Sequence, residues 1–229
     1  MPTQQLKMVE GKVGVEIEFC YSSSDIDKIR EFANEHGWGF GDDGSVRSEK
    51  GYYSAEIRSR PYETSEIDSL MSHFEKLAPL IKETNRTCGF HIHISFKQHI
   101  NYYKLFSWDF VEKFQNYIKT MFTTEGEKRR LTNQYCRFYP NMKAFLRLTK
   151  TFSSRYCAVN FCSYREHKTI EFRIFPGVQK PEDFNKYLNM LTEFISAFLE
   201  KKNLNSINHE INIRKRNKDI IITEEIENV

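Results

Sequence analysis

The chain has 229 residues, 39% hydrophobic and 14% aromatic, which excludes a globally disordered protein and favours one domain with a substantial core. A formal net charge of +3 is too small for its sign to indicate a nucleic-acid or membrane surface. The start of the chain lacks the apolar segment of a secretory signal, and no later run approaches the roughly 18 apolar residues of a membrane span. Five scattered cysteines form no Cys-x-x-Cys pair, so we expect free thiols in a cytoplasmic protein.

The first predicted element is a strand at residues 13–20, in which apolar and polar residues alternate strictly. Glu16 and Glu18 then project from the same face, about 7 Å apart at a rise of about 3.3 Å per residue. Two like charges at this separation raise each other's pKa unless a cation or water offsets the repulsion. The pattern is typical of a half-buried strand, and it gains meaning only if other strands repeat it.

Residues 25–36 have the three-and-four apolar spacing of a helix, and the following segment at 37–45 is rich in glycine. That segment is either a plain hairpin turn or a loop that approaches a ligand closely. Residues 55–60 alternate again and place Glu56 on the polar face before Pro61 interrupts the strand.

A helix is predicted for residues 65–84, and a third alternating strand follows at 88–96. Its polar face carries His91 and His93, a pair that is either incidental or suited to a metal, an anion or proton transfer. Residues 101–123 predict one long aromatic-rich helix.

The segment at 125–137 is polar and basic, and it contains Arg129, Arg130 and Arg137. It is either a solvated loop or a mobile flap that brings guanidinium groups to phosphate oxygens.

Two more strands are predicted at 155–161 and 168–175, the second with Glu171 and Arg173 on one face. A helix at 181–200 follows. We expect residues 1–200 to form a single catalytic domain and 201–229 a peripheral extension, either a hairpin or a loosely held tail.

Four predicted strands thus each present polar groups on one face: Glu16 with Glu18, Glu56 with Arg58, His91 with His93, and Glu171 with Arg173. We predict an α+β fold, a mainly antiparallel curved sheet with helices packed on one face and a catalytic concave face. Carboxylates gathered in this way require arginines or divalent cations as compensation, and Mg²⁺ or, with an imidazole ligand, Mn²⁺ suits glutamate oxygens. Adjacent arginines suggest an anion such as a nucleoside triphosphate.

A set of motifs in shared order carries a family resemblance. They are Gly14-x-Glu16-x-Glu18, Asp43-Gly44-Ser45, Glu56-Ile57-x-Ser59, Cys88-Gly89-Phe90-His91-Ile92-His93-Ile94, Arg155-Tyr156 with Asn160, and Thr169-Ile170-Glu171-Phe172-Arg173-Ile174-Phe175. From about residue 13 to 177, the chain resembles the putative amidoligase family. That family is a compact branch of the carboxylate-amine ligase superfamily, which includes glutamine synthetase and glutamate-cysteine ligase.

The resemblance implies an ATP-dependent ligase that joins a carboxylate and an amine through an acyl phosphate, with Mg²⁺ ions beneath the nucleotide phosphates. It implies one ion near the transferring phosphoryl group, held by Glu16, His91 and Glu171, and another near the substrate, held by Glu18 and Glu56. Arg173, Asp43 and Arg155 are the implied catalytic contacts. The implied nucleotide contacts are Arg173, Asn160 and His93, with Arg129, Arg130 and Arg137 standing in for the nucleotide loops of the longer ligases.

Two other functions remain open at this point. A metal-dependent hydrolase would use His91 and His93 with a carboxylate to activate water. A nucleic-acid or partner-binding module would use Arg129, Arg130 and the basic triplet at 214–216. The sequence identifies neither the small-molecule or peptide substrates of a ligase nor the oligomeric state.

Overall fold

The computed structural model describes residues 10–152 and 154–201, and the predicted tail beyond residue 201 lies outside them. The strands are β1 Gly11–Ser22, β2 Gly39–Gly41, β3 Tyr52–Arg58, β4 Tyr62–Glu63, β5 Gly89–Phe96, β6 Val159–Asn160 and β7 Ile170–Pro176. The helices are α1 Ile26–His36, α2 Ile67–Leu77, α3 His99–Leu105, α4 Trp108–Met121, α5 Glu125–Arg130, α6 Met142–Thr151, α7 Ser163–His167 and α8 Pro181–Lys201.

The strands form one open sheet in the order β2-β3-β1-β5-β7-β6, with β4 paired to the start of β1. Every pairing between these named strands is antiparallel, which confirms the predicted α+β class with a mainly antiparallel sheet. The register sets Glu18 opposite Glu56, Glu16 opposite His91, and His93 opposite Glu171. Residues that are distant in sequence therefore meet on the polar face.

The apolar face of the sheet is covered by helices. Val13, Val15 and Ile17 of β1 are almost completely buried in one continuous hydrophobic core. Phe184 of α8 stacks on Phe74 of α2 with ring centroids 4.2 Å apart and also packs on Phe90 of β5. Burial of one face fixes the phase of each strand, because a slip by one residue would turn the apolar set towards solvent.

The predicted helix at 101–123 is wrong as a single element, since the chain forms α3 and α4 with a break at Phe106 and Ser107. The Ser107 hydroxyl accepts a hydrogen bond from the Phe110 backbone N–H and donates one to the Lys104 carbonyl. This serine therefore caps α4, and its side chain competes with continuous helix for the same backbone groups.

Other boundaries also differ from the prediction. The helix predicted at 65–84 ends at Leu77, and a short 3-10 turn containing Pro79 follows. The basic segment predicted as a loop begins with α5, whose N-terminus has a capping box formed by Thr124 and Glu127. Of the strand predicted at 155–161, only β6 pairs as a strand.

No helix in the described part of the chain combines the length and the apolar character needed to cross a membrane.

Candidate functional site

The polar face of the sheet brings together all five predicted metal ligands. Glu16 and Glu18 lie on β1, Glu56 on β3, His91 on β5 and Glu171 on β7. They share a face because residues two apart in a strand point the same way and the antiparallel register aligns neighbouring strands. The structure thus assembles one acidic surface from four segments of sequence.

Three residues form what we call the first acidic group: Glu16, His93 and Glu171. One donor atom from each lies within 4.8 Å of the other two. The His93 Nε2 atom is 3.2 Å from a Glu16 carboxylate oxygen and 3.9 Å from a Glu171 oxygen. The histidine in this group is the one that the sequence placed among the nucleotide contacts.

Glu18, Asp43 and Glu56 form the second acidic group, and their donor oxygens also lie within 4.8 Å of one another. Asp43 comes from the loop after β2, where its Oδ1 atom accepts a 2.7 Å hydrogen bond from the Ser45 backbone N–H. The predicted pair of Glu18 and Glu56 is therefore joined by a third carboxylate. The sequence had placed Asp43 in a catalytic substrate loop.

His91 lies between the two acidic groups and is only 2% exposed. Its Nδ1 atom is 3.2 Å from Glu16 and 3.6 Å from Glu171, while its Nε2 atom is 3.7 Å from Glu18. The imidazole therefore contacts carboxylates of both groups. The family resemblance had assigned His91 to one metal ion only, together with Glu16 and Glu171.

The burial and crowding of these carboxylates shift their pKa values in opposite directions. Burial opposes ionisation of Glu16, but hydrogen bonds and positive charge from His91 and His93 outweigh it and hold the Glu16 pKa far below its usual range. Glu56 has no such histidine partner. Burial, followed by the charge of Glu16 and smaller contributions from Asp43 and Glu18, raises the Glu56 pKa to about 7, although Arg58 partly offsets this effect.

Arg173 and Asn160 fix the orientation of Glu171. Arg173 forms an ion pair with Glu171 Oε1, and Asn160 Nδ2 donates a 2.5 Å hydrogen bond to Glu171 Oε2. Burial disfavours the charged guanidinium, yet the charge and hydrogen bond of Glu171, with the charges of Glu18 and Glu16, raise the Arg173 pKa. The predicted catalytic arginine thus lies at the first acidic group.

The other predicted arginines lie outside the two groups. Arg130 is buried, and its guanidinium donates to the backbone carbonyls of Arg173 and Ile174, so part of its bonding capacity supports β7. Arg129 is exposed and pairs with Glu125 at 3.4 Å. Among the described residues, no hydrogen bond or ion pair joins either group to the two remaining predicted arginines, Arg137 and Arg155.

Sequence reasoning missed the residues that support the site. Thr169 Oγ1 lies 3.1 Å from His93 Nδ1 and 2.7 Å from the Ser163 hydroxyl, which holds the ring in place. Thr169, which directly precedes β7, appeared in a sequence motif without a role, whereas Ser163 gave no signal.

The Gly89 backbone N–H is a further support, and it donates a 2.6 Å hydrogen bond to Glu18. A Cβ at this position would lie 2.7 Å from His91 Nε2 and 3.1 Å from both Glu18 and Arg130. A larger residue at this position would therefore have to displace the His91 imidazole.

Two clefts flank the acidic surface. One, of about 380 Å³, includes Gly14, Glu16, Arg58, His93 and Ser95 in its lining. The other, of about 700 Å³, includes Cys88 and Arg130 in its lining but no residue of the two acidic groups. The smaller cleft therefore gives a ligand access to Glu16, and the larger one ends at the residue before Gly89, whose N–H binds Glu18.

The donor chemistry of the two acidic groups fits hard divalent cations. The second group offers only carboxylate oxygens, and the first offers two carboxylates with one imidazole. Mg²⁺ prefers oxygen ligands, and Mn²⁺ accepts an imidazole more readily. Burial and the neighbouring carboxylates raise the Glu56 pKa to about 7 even though Arg58 lies 3.2 Å away, and a bound cation would counteract both effects.

A comparison with family models gives a match over residues 10–151 to the family described as putative amidoligase enzyme. The chain belongs to this amidoligase family. The match confirms the resemblance recognised from the motifs, and such a domain indicates a ligase. No match was found among curated proteins or among solved structures. The amidoligase match covers the second acidic group, whereas Asn160, Glu171 and Arg173 lie beyond its end.

Proposed function

We propose that the chain is an ATP-dependent carboxylate-amine ligase that forms an amide through an acyl-phosphate intermediate. The observation that carries the proposal is the pair of acidic groups on one sheet face, with His91 between them. A ligase of this kind must neutralise triphosphate charge next to a substrate carboxylate, and two neighbouring cation sites meet this need.

Glu16, His93 and Glu171 would hold one Mg²⁺ or Mn²⁺ ion, and Glu18, Asp43 and Glu56 would hold another, with His91 facing both. Bound there, such ions would supply neutralisation of the charge on the phosphate oxygens. The protein's own part is to position the reactants, which explains why the site contains carboxylates and arginines but needs no side-chain nucleophile.

Several side chains have proposed roles towards the nucleotide and the substrate. Arg173 lies beside Glu171, and we assign it to the γ-phosphoryl group, with Asn160 keeping the Glu171 carboxylate in orientation. The loop that carries Asp43 would order around the substrate. Arg137 and Arg155 are exposed beside β6. These two arginines could contact a phosphate group only if the bound nucleotide extended to that edge of the sheet.

The test measures ADP formation with Mg²⁺ while carboxylate and amine pairs are varied, together with the mass of the product. Glu18→Gln and Glu171→Gln should each abolish amine-dependent ADP formation, because each leaves one acidic group without a charge that a cation requires. Glu112→Gln, an exposed change on α4, is the matched control and should keep full activity.

Unchanged turnover in both site variants would contradict the proposal. Phosphate release from a substrate without any nucleotide would instead support the metal-dependent hydrolase that the His91 and His93 pair left open. Salt-sensitive binding of nucleic acid that survives the loss of Glu16 and Glu18 would support a binding module.

A further inference from the structure

The larger cleft, of about 700 Å³, has arginines on both walls, and we call it the arginine cleft. Arg47 and Arg86 lie on one wall, and Arg129 and Arg130 belong to α5 on the other. Cys88, Pro176 and Gly177 are also in its lining. The proposed ligase mechanism gives Arg47 and Arg86 no role, and the sequence did not identify them as site residues.

Side-chain hydrogen bonds hold the wall with Arg47 and Arg86 in place. The Asn85 side chain donates a 2.7 Å hydrogen bond to the Arg47 carbonyl, and its Oδ1 atom accepts from both the N–H and the hydroxyl of Thr87. Thr87 Oγ1 in turn accepts a 2.9 Å hydrogen bond from the Arg47 N–H. Two loops that are 38 residues apart are thereby joined at the base of both arginines.

Both guanidinium groups are available to a ligand. Arg47 and Arg86 are exposed, and within residues 10–152 and 154–201 neither is joined to a carboxylate by an ion pair. Glu127 also lines the cleft, but its carboxylate is completely buried and is bound by Lys186 at 2.6 Å. Glu49 and Glu83 are the remaining acidic residues of the lining. Arg129 pairs with Glu125 and Arg130 donates to backbone carbonyls, so Arg47 and Arg86 are the two arginines of the lining that the described contacts leave without a side-chain partner.

The cleft ends close to Glu18 of the second acidic group, because Glu18 and the lining residue Arg130 each lie 3.1 Å from the position of a Cβ on Gly89. Cys88 in its lining precedes Gly89, whose N–H binds Glu18, and Arg47 shares a loop with Asp43. The γ-phosphoryl group is assigned above to the first group, with Arg173 and Glu171. A ligand in the arginine cleft would therefore approach the reaction centre next to Glu18, which the resemblance assigns to the substrate side.

We propose that the arginine cleft binds an acidic peptide segment, so that the ligase acts on a peptide with several neighbouring carboxylates. This inference rests on the proposed function, since it concerns the substrate side of the same site. Clefts of about 300–1,000 Å³ enclose ligands of drug size, which is larger than one amino acid. Arginines on two walls match carboxylates spaced along a chain, and guanidinium groups bind carboxylates in bidentate fashion.

The test is binding of fluorescein-labelled hexaglutamate to the full chain in Mg²⁺ buffer without nucleotide, measured by anisotropy. The double variant Arg47→Gln with Arg86→Gln should weaken hexaglutamate binding at least tenfold. Arg30→Gln with Arg147→Gln removes the same charge from exposed positions on α1 and α6 and should weaken it less than twofold. Hexalysine should not bind.

Three outcomes would overturn the inference. The first is that hexaglutamate does not bind, and the second is that both double variants lose the same amount of hexaglutamate affinity. The third is that the Arg47 and Arg86 variant loses affinity for ATP and keeps its affinity for hexaglutamate. The last would assign the cleft to the triphosphate. Because the assay needs no turnover, its failure is distinct from failure of the ligase proposal, which is decided by amine-dependent ADP formation.

Discussion

Gly89→Ala tests whether the geometry around Glu18 and His91 is as tight as the structure indicates. The added Cβ would lie 2.7 Å from His91 Nε2, closer than the 3.0 Å below which a neighbouring atom must move. Overpacking of this kind costs about 1–3 kcal/mol, and a chain of this length loses about 2–4 °C in Tm for each kcal/mol. We expect a lower urea midpoint, a fall in Tm of roughly 2–12 °C, and weaker Mn²⁺ binding in calorimetry.

Gly126→Ala provides the matched control for that variant. Gly126 lies in α5, and a Cβ there would meet nothing within 4 Å. Alanine in place of a helical glycine stabilises by up to about 1 kcal/mol, so this variant should unfold at an equal or higher urea concentration. If Gly89→Ala behaved like Gly126→Ala, the close approach of Glu18, His91 and Arg130 to the glycine would be refuted.

Three further variants separate the site from its scaffold. The Glu56 pKa is raised to about 7, so the ionised carboxylate destabilises the metal-free fold at pH 8, and Glu56→Gln should stabilise the metal-free protein by about 1–2 kcal/mol at that pH. The same variant should weaken the thermal stabilisation given by Mn²⁺. A less stable metal-free variant would contradict this reasoning. Glu127→Gln should destabilise by about 2 kcal/mol at pH 7, since hydrogen bonds from Lys186 and from Thr124 outweigh burial and lower the Glu127 pKa from 4.5 to about 2. In the parent protein this stabilisation is present above pH 4.5 and lost as the pH falls towards 2, so urea titrations should show a flatter acid slope for the variant. Ser107→Ala should cost about 1 kcal/mol through loss of the α4 cap, and an unchanged urea midpoint would show that the cap contributes nothing.

The parts of the fold that the sequence predicts best are those with one buried face. In β1 and β7 residues alternate between two faces, with apolar side chains in the core and Glu16, Glu18 and Glu171 on the opposite face. Shifting either strand by one residue would take the apolar side chains out of the core. The same reasoning predicts that these carboxylates share a surface. It does not predict the strand order, because periodicity contains no information about which strands are neighbours.

The parts that sequence reasoning could not reach depend on tertiary contacts of loops. Asp43 joins Glu18 and Glu56 only because the loop after β2 folds back over the sheet. Hydrogen bonds of Asn85 join the loop of Arg47 to the segment that carries Arg86, and neither arginine lies in a periodic segment. His91 and His93 occupy the same face of β5, so alternation alone cannot tell which of them joins the first acidic group.

The position of β1 in the sheet explains why there are two acidic groups rather than one. β1 lies between β3 and β5, so its polar side chains have a neighbouring strand on each side. Glu16 meets His93 and, beyond it, Glu171 of β7, whereas Glu18 meets Glu56 of β3. A separation of two residues along β1 sets the groups about 7 Å apart.

This spacing is short enough for one ligand to contact both acidic groups and for His91 to face both. It is long enough that the two sets of donors remain distinct. The division of labour between a phosphoryl side and a substrate side would then follow from one central strand with a glutamate at each of two successive polar positions. Lengthening β1 by one residue between Glu16 and Glu18 would place the two carboxylates on opposite faces of the sheet and would also turn the fully buried Phe19 out of the core. We therefore expect this insertion to abolish cation binding together with a large loss of stability in urea unfolding.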